Sequence, residues 1–274
     1  MSKKKSRYYY IFNLSYVGAR YFGWQKQSEH PSIHQAFNTA LEKALYDTFS
    51  HEVEYKSLGA SRTDARVNAF EQRVKVKLIG VELDCQKFSH KINELLPFDI
   101  KVENIIVVDK ELAVIAHAMS KEYFYFFTHN KPKSPFLFPF VTYFDEENLD
   151  FDLMQEGTQL FLGSHNFKNY SYRPSNTNFV RTLKRCELKL DVEFDSHGLN
   201  ISGHQLIIEG DGFLKQMIRI IMGTLIDLGR GQCSLEDIKE SLQEDSTKRV
   251  GFITPPHGLY LNKIKYIDKY SFLN

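Results

Sequence analysis

The chain has 274 residues, 42% of them hydrophobic and 25% charged, with 35 Lys and Arg against 34 Asp and Glu and a formal net charge of +1. That length gives a prior of about two domains and enough chain to bury a core without disulfide or metal staples. The near-zero balance excludes a polybasic coat for nucleic acid and leaves room only for local basic patches.

Residues 8–16, rich in Tyr, Ile and Phe, read as a strand, followed by a Gly-containing turn over 17–23. Ser32 then opens a helix, with Gln35 at capping-box spacing. Ile33, Phe37, Leu41, Leu45 and Phe49 recur every four residues and share its buried face. Residues 52–58 and 71–79 read as strands. In the latter, Val74, Val76 and Leu78 alternate with Arg73, Lys75 and Lys77, predicting one apolar and one basic face. A helix over 85–96 stops at Pro97, and the apolar run 102–108 is a fourth strand. The order is β-α-β-β-α-β, the ferredoxin-like unit.

The second half repeats that order. Residues 123–128 form an aromatic strand and 150–162 a helix. Residues 181–194 alternate as a long strand with 204–209 as its partner. A strong helix covers 213–228, a short one 234–242, and residues 258–267 close as a strand. Residues 132–139 are Pro-rich and read as an extended loop. The expected fold is α+β: two ferredoxin-like halves, residues 1–110 and 111–274, with mainly antiparallel sheets meeting at a central active-site cleft.

Three scattered cysteines, Cys85, Cys186 and Cys233, with no C-x-x-C, fit reduced thiols in a cytoplasmic protein. His30 and His34 are four apart, but Pro31 lies between them and no Glu completes a zinc motif, so no metal is expected. The basic start of the chain lacks the apolar run and cleavage site of a signal peptide. No stretch reaches about 18 apolar residues, so no membrane helix is expected. Aromatics reach 14%, as 22 Phe, 15 Tyr and one Trp. That load suits β-surfaces and base-stacking platforms alike.

The segment 57–72 joins two strands and carries Asp64 between Arg62 and Arg66. A carboxylate beside guanidinium groups stays ionised at neutral pH. Such a group can act as a nucleophile or stabilise positive charge at a sugar carbon. The spacing alone favours a loop salt bridge or an Asx turn, because R-T-D is a short motif.

Five stretches in order resemble the tRNA pseudouridine synthase A (TruA) family. Tyr16-Val-Gly-Ala-Arg-Tyr21-Phe-Gly-Trp24-Gln25 resembles Y-x-G-x-x-Y-x-G-W-Q. Arg62-Thr63-Asp64-Ala65, with Val67, Ala69 and Gln72, resembles G-R-T-D-A-G-V-H-A-x-x-Q. Lys121-Glu-Tyr123-Phe-Tyr125 resembles [RK]-x-Y-x-Y. Gly163-Ser-His165-Asn166-Phe167 is followed by Arg181-Thr182. Last come Gly212-Phe213 to Met217 and Arg219, with Gly223, then Pro256-His257-Gly258-Leu259-Tyr260-Leu261.

The resemblance implies a cofactor-free isomerase that turns uridine into pseudouridine at positions 38 to 40 of the tRNA anticodon stem-loop, acting as a homodimer. It assigns Asp64 as the catalytic aspartate, Tyr123 as the tyrosine stacking on the target base, and Arg219 as the arginine that pairs with the aspartate. It assigns Arg62 as the arginine that helps extrude the nucleotide. RNA contact is expected from Lys3 to Lys5, from the Arg73, Lys75 and Lys77 face, and from Lys184 with Arg185. The chain departs from the family pattern at Ser61 and Arg66, where it has glycine, at Asn68, where it has histidine, and at Ile115, where it has arginine. If either glycine serves a positive φ, its replacement costs about 1 kcal/mol. Two other readings remain: a divergent paralogue modifying another RNA site, and a non-catalytic RNA-binding or chaperone protein.

Overall fold

The computed structural model describes residues 6–129, 135–172, 178–196 and 198–274. The architecture is mixed α+β, with a large sheet and few helices. The chain divides into two compact units, Met1–Met119 with Leu261–Asn274, and Ser120–Tyr260.

The first unit runs β1 (Arg7–Tyr16), α1 (Ile33–Phe49), β2 (Tyr55–Gly59), β3 (Asn68–Ile79), α2 (Cys85–Asn93) and β4 (Ile100–Val107). β1 lies antiparallel between β3 and β4, and β2 pairs antiparallel with β3. β1 is an interior strand of the sheet, and residues 10–12 and Leu14 are fully buried. The ring of Phe12 meets Phe37 of α1 at 5.5 Å and Phe88 of α2 at 6.3 Å, both edge-on, so one side chain ties the strand to both helices.

The start of α1 follows the sequence signal: Ser32 accepts a hydrogen bond from the Gln35 amide. Its end is a left-handed Ser50 whose amide bonds Tyr46. α2 is shorter than expected. It ends at Asn93, and Glu94 to Leu96 continue as a tight turn, because Pro97 has no amide to extend the ladder.

The apolar face of β3 is as expected, but its other face is not a basic surface. Arg73 is 2% exposed, pairs with Glu71 at 2.9 Å and lies over the Tyr266 ring. Lys75 donates to the Lys110 and Leu112 carbonyls. The neighbouring C-terminal strand, through Tyr266, and the segment after β4 take up these two side chains, which a local alternation cannot reveal.

The second unit contains most of β5 (Ala118–Thr128), then β6 (Thr142–Tyr143), α3 (Phe151–Gln159), β7 (Gly163–Asn166), β8 (Val180–Ser196), β9 (Leu199–Gly210), α4 (Met217–Gly229) and α5 (Leu235–Ser241), and the start of β10 (Leu259–Tyr266). β9 pairs antiparallel with β5 and β8, and β8 with β7. β6 runs parallel to β5, which makes the sheet mixed rather than mainly antiparallel. A parallel neighbour needs a long return, and 13 residues separate the two strands in the sequence. The expected Pro-rich loop begins outside the described residues, and Pro135–Leu137 form a 3-10 turn.

α4 is buried almost all round, the signature of a helix passing through a core. It starts four residues later than the apolar pattern does, because Gln216 is left-handed and breaks the helix at its N-cap. A β-carbon on Gly223 would lie 1.9 Å from the Phe252 carbonyl oxygen, so the segment after α5 crosses α4 in direct backbone contact. α5 carries a capping box between Ser234 and Asp237.

At the β8 bulge, Leu190 and Asp191 together face His204, and Asp191 is left-handed. The Asp191 amide donates to His204 Nδ1, so the His204 proton sits on Nε2 and points at His129 Nδ1, 2.9 Å away. Burial, with a smaller contribution from His129, holds the His204 pKa below its ordinary value, against the Asp191 carboxylate. The unfolded chain therefore takes up protons first as the pH falls below about 6.5. Stability is expected to be full at neutral pH and to decline below that value. Urea midpoints at pH 7.5 and 5.5 check this, with part of the difference lost in His204→Phe.

Candidate active site

The loop that carries Asp64 connects β2 to β3 and is held at nearly every residue. The Ala60 amide bonds the Arg73 carbonyl at 2.8 Å. Ser61 donates its amide to Gln72 Oε1 and receives Gln72 Nε2 on its carbonyl. Thr63 meets the Tyr16 hydroxyl at 2.8 Å through its side chain, and its carbonyl accepts from the Trp24 amide at 3.1 Å. The Asp64 carbonyl accepts from the Val67 amide, closing a turn over 64–67, and the Arg66 amide bonds the Tyr21 carbonyl. Asn68 accepts from the Gly18 amide at 2.8 Å.

Residues 16–24 thus form the other wall of this loop. A β-carbon on Gly18 would sit 2.1 Å from the Val67 carbonyl oxygen. One on Gly23, whose φ is +97°, would sit 2.6 Å from the Thr63 carbonyl oxygen. Both glycines are required by backbone approach. Trp24 is buried between His34, stacked at 5.0 Å, and Tyr16 at 6.3 Å. Its ring lies over Gly59 so closely that no side chain fits there. The wall is fastened at Asp99, which accepts from Arg20 at 2.6 Å and from the Tyr21 hydroxyl at 2.7 Å. Burial would raise the Asp99 pKa, but these two donors outweigh it and hold the carboxylate below its usual range. Burial and that same bond push the Tyr21 phenol up to about 12.

The two glycine replacements differ in consequence. Ser61 is buried and has no positive φ, so its backbone suits any residue. Arg66 has a φ of 64°, as the third residue of a type II turn does. A non-glycine residue there costs about 1 kcal/mol. The turn keeps its shape and carries the cost. Asn68 takes the histidine position and uses its side-chain oxygen on Gly18.

Asp64 is half-buried, while Arg62 and Arg66 are exposed, each without an ion-pair or side-chain hydrogen-bond partner among the described residues. The loop therefore presents a carboxylate with a free guanidinium two residues away on either side. Such a group can serve as an ionised nucleophile.

Tyr123 and Arg219 lie in the second unit. Tyr123 is buried on β5, opposite Ile208 of β9, with its ring edge-on to Phe213 at 5.2 Å. Arg219 is on α4, 9% exposed, and its Nε donates to the Thr254 carbonyl at 2.6 Å while Thr254 Oγ1 donates to the Arg219 carbonyl. The first of these two hydrogen bonds ties the guanidinium to the segment that crosses α4, and the second ties the backbone of α4 to the same residue. Nearby, the Tyr125 hydroxyl donates to Pro255, and burial raises the Tyr125 pKa.

Of the expected basic patches, Lys184 is exposed. Arg185 is ion-paired with Glu122 and Glu187, and Arg73 is buried. Lys3 to Lys5 lie outside the described residues. Sequence reasoning missed the supporting roles of Thr63, Asp99 and Thr254. Each acts on a partner at least 35 residues away, so no local pattern marks it. Among the described residues, no group of three or more His, Cys, Asp or Glu could hold a metal ion, and no helix is long and apolar enough to cross a membrane.

A family model for tRNA pseudouridine synthase matches residues 158–267. The chain is 33% identical over 257 residues to tRNA pseudouridine synthase A 2 of Clostridium perfringens, covering 92% of this chain and 97% of that one. It is 30% identical over 267 residues to tRNA pseudouridine synthase A 2 of Protochlamydia amoebophila, covering 97% of each. It is 29% identical over 265 residues to tRNA pseudouridine synthase A of Staphylococcus aureus strain JH1, covering 96% of this chain and 92% of that one.

The Tyr16 hydroxyl is buried against Thr63, so removing it leaves a buried oxygen with one partner fewer. Tyr16→Phe is expected to lower unfolding stability by about 1–2 kcal/mol. Gly18→Ala is expected to cost more, about 3 kcal/mol, because backbone must move. Urea denaturation of both variants checks the order.

Proposed function

The chain belongs to the tRNA pseudouridine synthase family, and on that footing we propose that it isomerises uridine at positions 38 to 40 of the tRNA anticodon stem-loop, with Asp64 as the catalytic residue. The reaction breaks the N1–C1′ bond, turns the base and joins C5 to C1′. The C5 proton is lost and N1 gains one, so substrate and product have the same atoms. What this demands of the protein is a fixed, ionised carboxylate at C1′ and a surface that retains the free base. The target nucleotide must also leave the helical stack.

The observation that carries the reading is the hold on the Asp64 loop. Thr63 before Asp64, and Arg66 and Asn68 after it, are each bonded to residues 16–24. A loop salt bridge on a surface needs no such scaffold. Loops that order a single carboxylate this thoroughly are typical of catalytic groups, whose geometry must hold within fractions of an ångström. The same support argues against a non-catalytic RNA chaperone, which has no use for a fixed carboxylate.

In this reading Tyr123 stacks on the target base, a contact that any base tolerates because each has a π-face. Arg219 and Arg62 are substrate-binding residues: Arg219 on a rigid helix, Arg62 exposed beside Asp64. The reading also includes ferredoxin-like halves on either side of Lys110, a cytoplasmic location and a homodimer. The β1-α1-β2-β3-α2-β4 order of the first unit supports the first of these.

Unmodified tRNA treated with the wild-type chain is expected to gain pseudouridine at positions 38 to 40, mapped by carbodiimide and primer extension. Asp64→Ala is expected to reduce the rate by at least about 10³-fold without loss of folding, as for removal of a nucleophile. Modification elsewhere would point to the paralogue reading, and no modification would remove the enzyme reading.

A further inference from the structure

We propose that Arg66 is a phosphate contact for the RNA substrate, added at a turn position that glycine would fill without strain. The inference rests on the tRNA reading above. Its starting point is a mismatch between backbone and side chain. The turn over 64–67 places Arg66 at φ 64°, a conformation that disfavours any β-carbon. Local structure offers no return for that strain. The Arg66 side chain is exposed and makes no hydrogen bond or ion pair among the described residues. A strained residue with no internal partner points to an external one.

The surroundings indicate which chemistry that partner has. The Arg66 amide bonds the Tyr21 carbonyl, and the next residue along, Phe22, is 43% exposed. Phe22 stacks on His30, with ring centroids 4.1 Å apart and planes 13° from parallel. The loop between them is closed by the Phe22 amide on the Pro31 carbonyl and by Gln27 on the Phe22 carbonyl. Its charges, Lys26 and Glu29, offset each other. An ordered flat ring pair that begins one residue after the backbone bond of a free guanidinium's residue matches a nucleotide, with a base face for the rings and a phosphate for the planar fork. Arg62 offers a second guanidinium on the other side of Asp64, so a strand passing the carboxylate meets cations before and after it.

Three replacements separate charge from strain. Arg66→Lys keeps both, Arg66→Ala keeps the strain alone, and Arg66→Gly removes both. Binding is measured with the full-length chain carrying Asp64→Ala, so that unmodified tRNA is not turned over, across a salt series. Arg66→Ala and Arg66→Gly are expected to weaken binding about tenfold at low salt. Both should flatten the slope of log affinity against log salt by about one, and Arg66→Lys should keep the wild-type slope. In thermal melts only Arg66→Gly is expected to gain stability. Unchanged slopes in Arg66→Ala overturn the proposal. So does a shifted pH–rate profile for Arg66→Ala in the Asp64 background with unchanged tRNA affinity, which would assign the guanidinium to Asp64. If the wild-type chain neither binds nor modifies tRNA, it is the tRNA reading that fails.

Discussion

Two stretches of chain 50 residues apart touch backbone to backbone, and the place of Asp64 depends on that contact. Gly18 and Gly23 bring the first stretch against the carbonyls of Val67 and Thr63, at distances that no β-carbon allows. Once the backbones are this close, hydrogen bonds fall into line: Trp24 to Thr63, Arg66 to Tyr21, Gly18 to Asn68. Each is modest alone. Together they leave the loop few alternative shapes, because moving any residue breaks bonds on both strands. The buried Trp24 then wedges the wall in place between His34 and Tyr16, over a Gly59 that makes room for it.

The same device recurs in the second unit. There Gly223 lets the Phe252 segment lie directly on α4, and Arg219 and Thr254 bond each other twice across that contact. In both places a glycine removes side-chain bulk, backbone comes close, and a side chain proposed to act on the substrate lies beside the contact. Arg66 is the exception that shows the rule from the other side. Its turn has glycine geometry without glycine, so the loop keeps its shape under strain.

Electrostatics follow a similar division between internal and external use. With 35 basic and 34 acidic residues, the chain has no excess charge to spread over a surface. Several arginines are taken up by pairing within the protein: Arg73 with Glu71, Arg185 with Glu122 and Glu187, Arg230 with Glu146 and Asp227. Arg62 and Arg66 are exceptions, exposed beside the one half-buried carboxylate of the loop. A near-neutral protein can still offer phosphate a local positive site when pairing elsewhere leaves such groups free.

Periodicity in the sequence determined the strands and helices that carry these groups. The alternation of Val74, Val76 and Leu78 marked β3, and Ser32 with its four-residue apolar repeat marked α1, because these signals depend only on neighbours in the chain. The motif order likewise singled out Asp64, Tyr123, Arg62 and Arg219. Tertiary structure alone decided what surrounds them. Arg73 and Lys75 read as a solvated face, yet Glu71 with Tyr266 takes up the first and the carbonyls after β4 the second, and the parallel pairing of β6 with β5 has no local signal. The φ of Arg66, the Tyr16–Thr63 bond and the grip of Asp99 on Arg20 and Tyr21 also belong to this class. Burial and long-range hydrogen bonds join residues as many as 193 positions apart, and short-range sequence pattern carries no record of such distances.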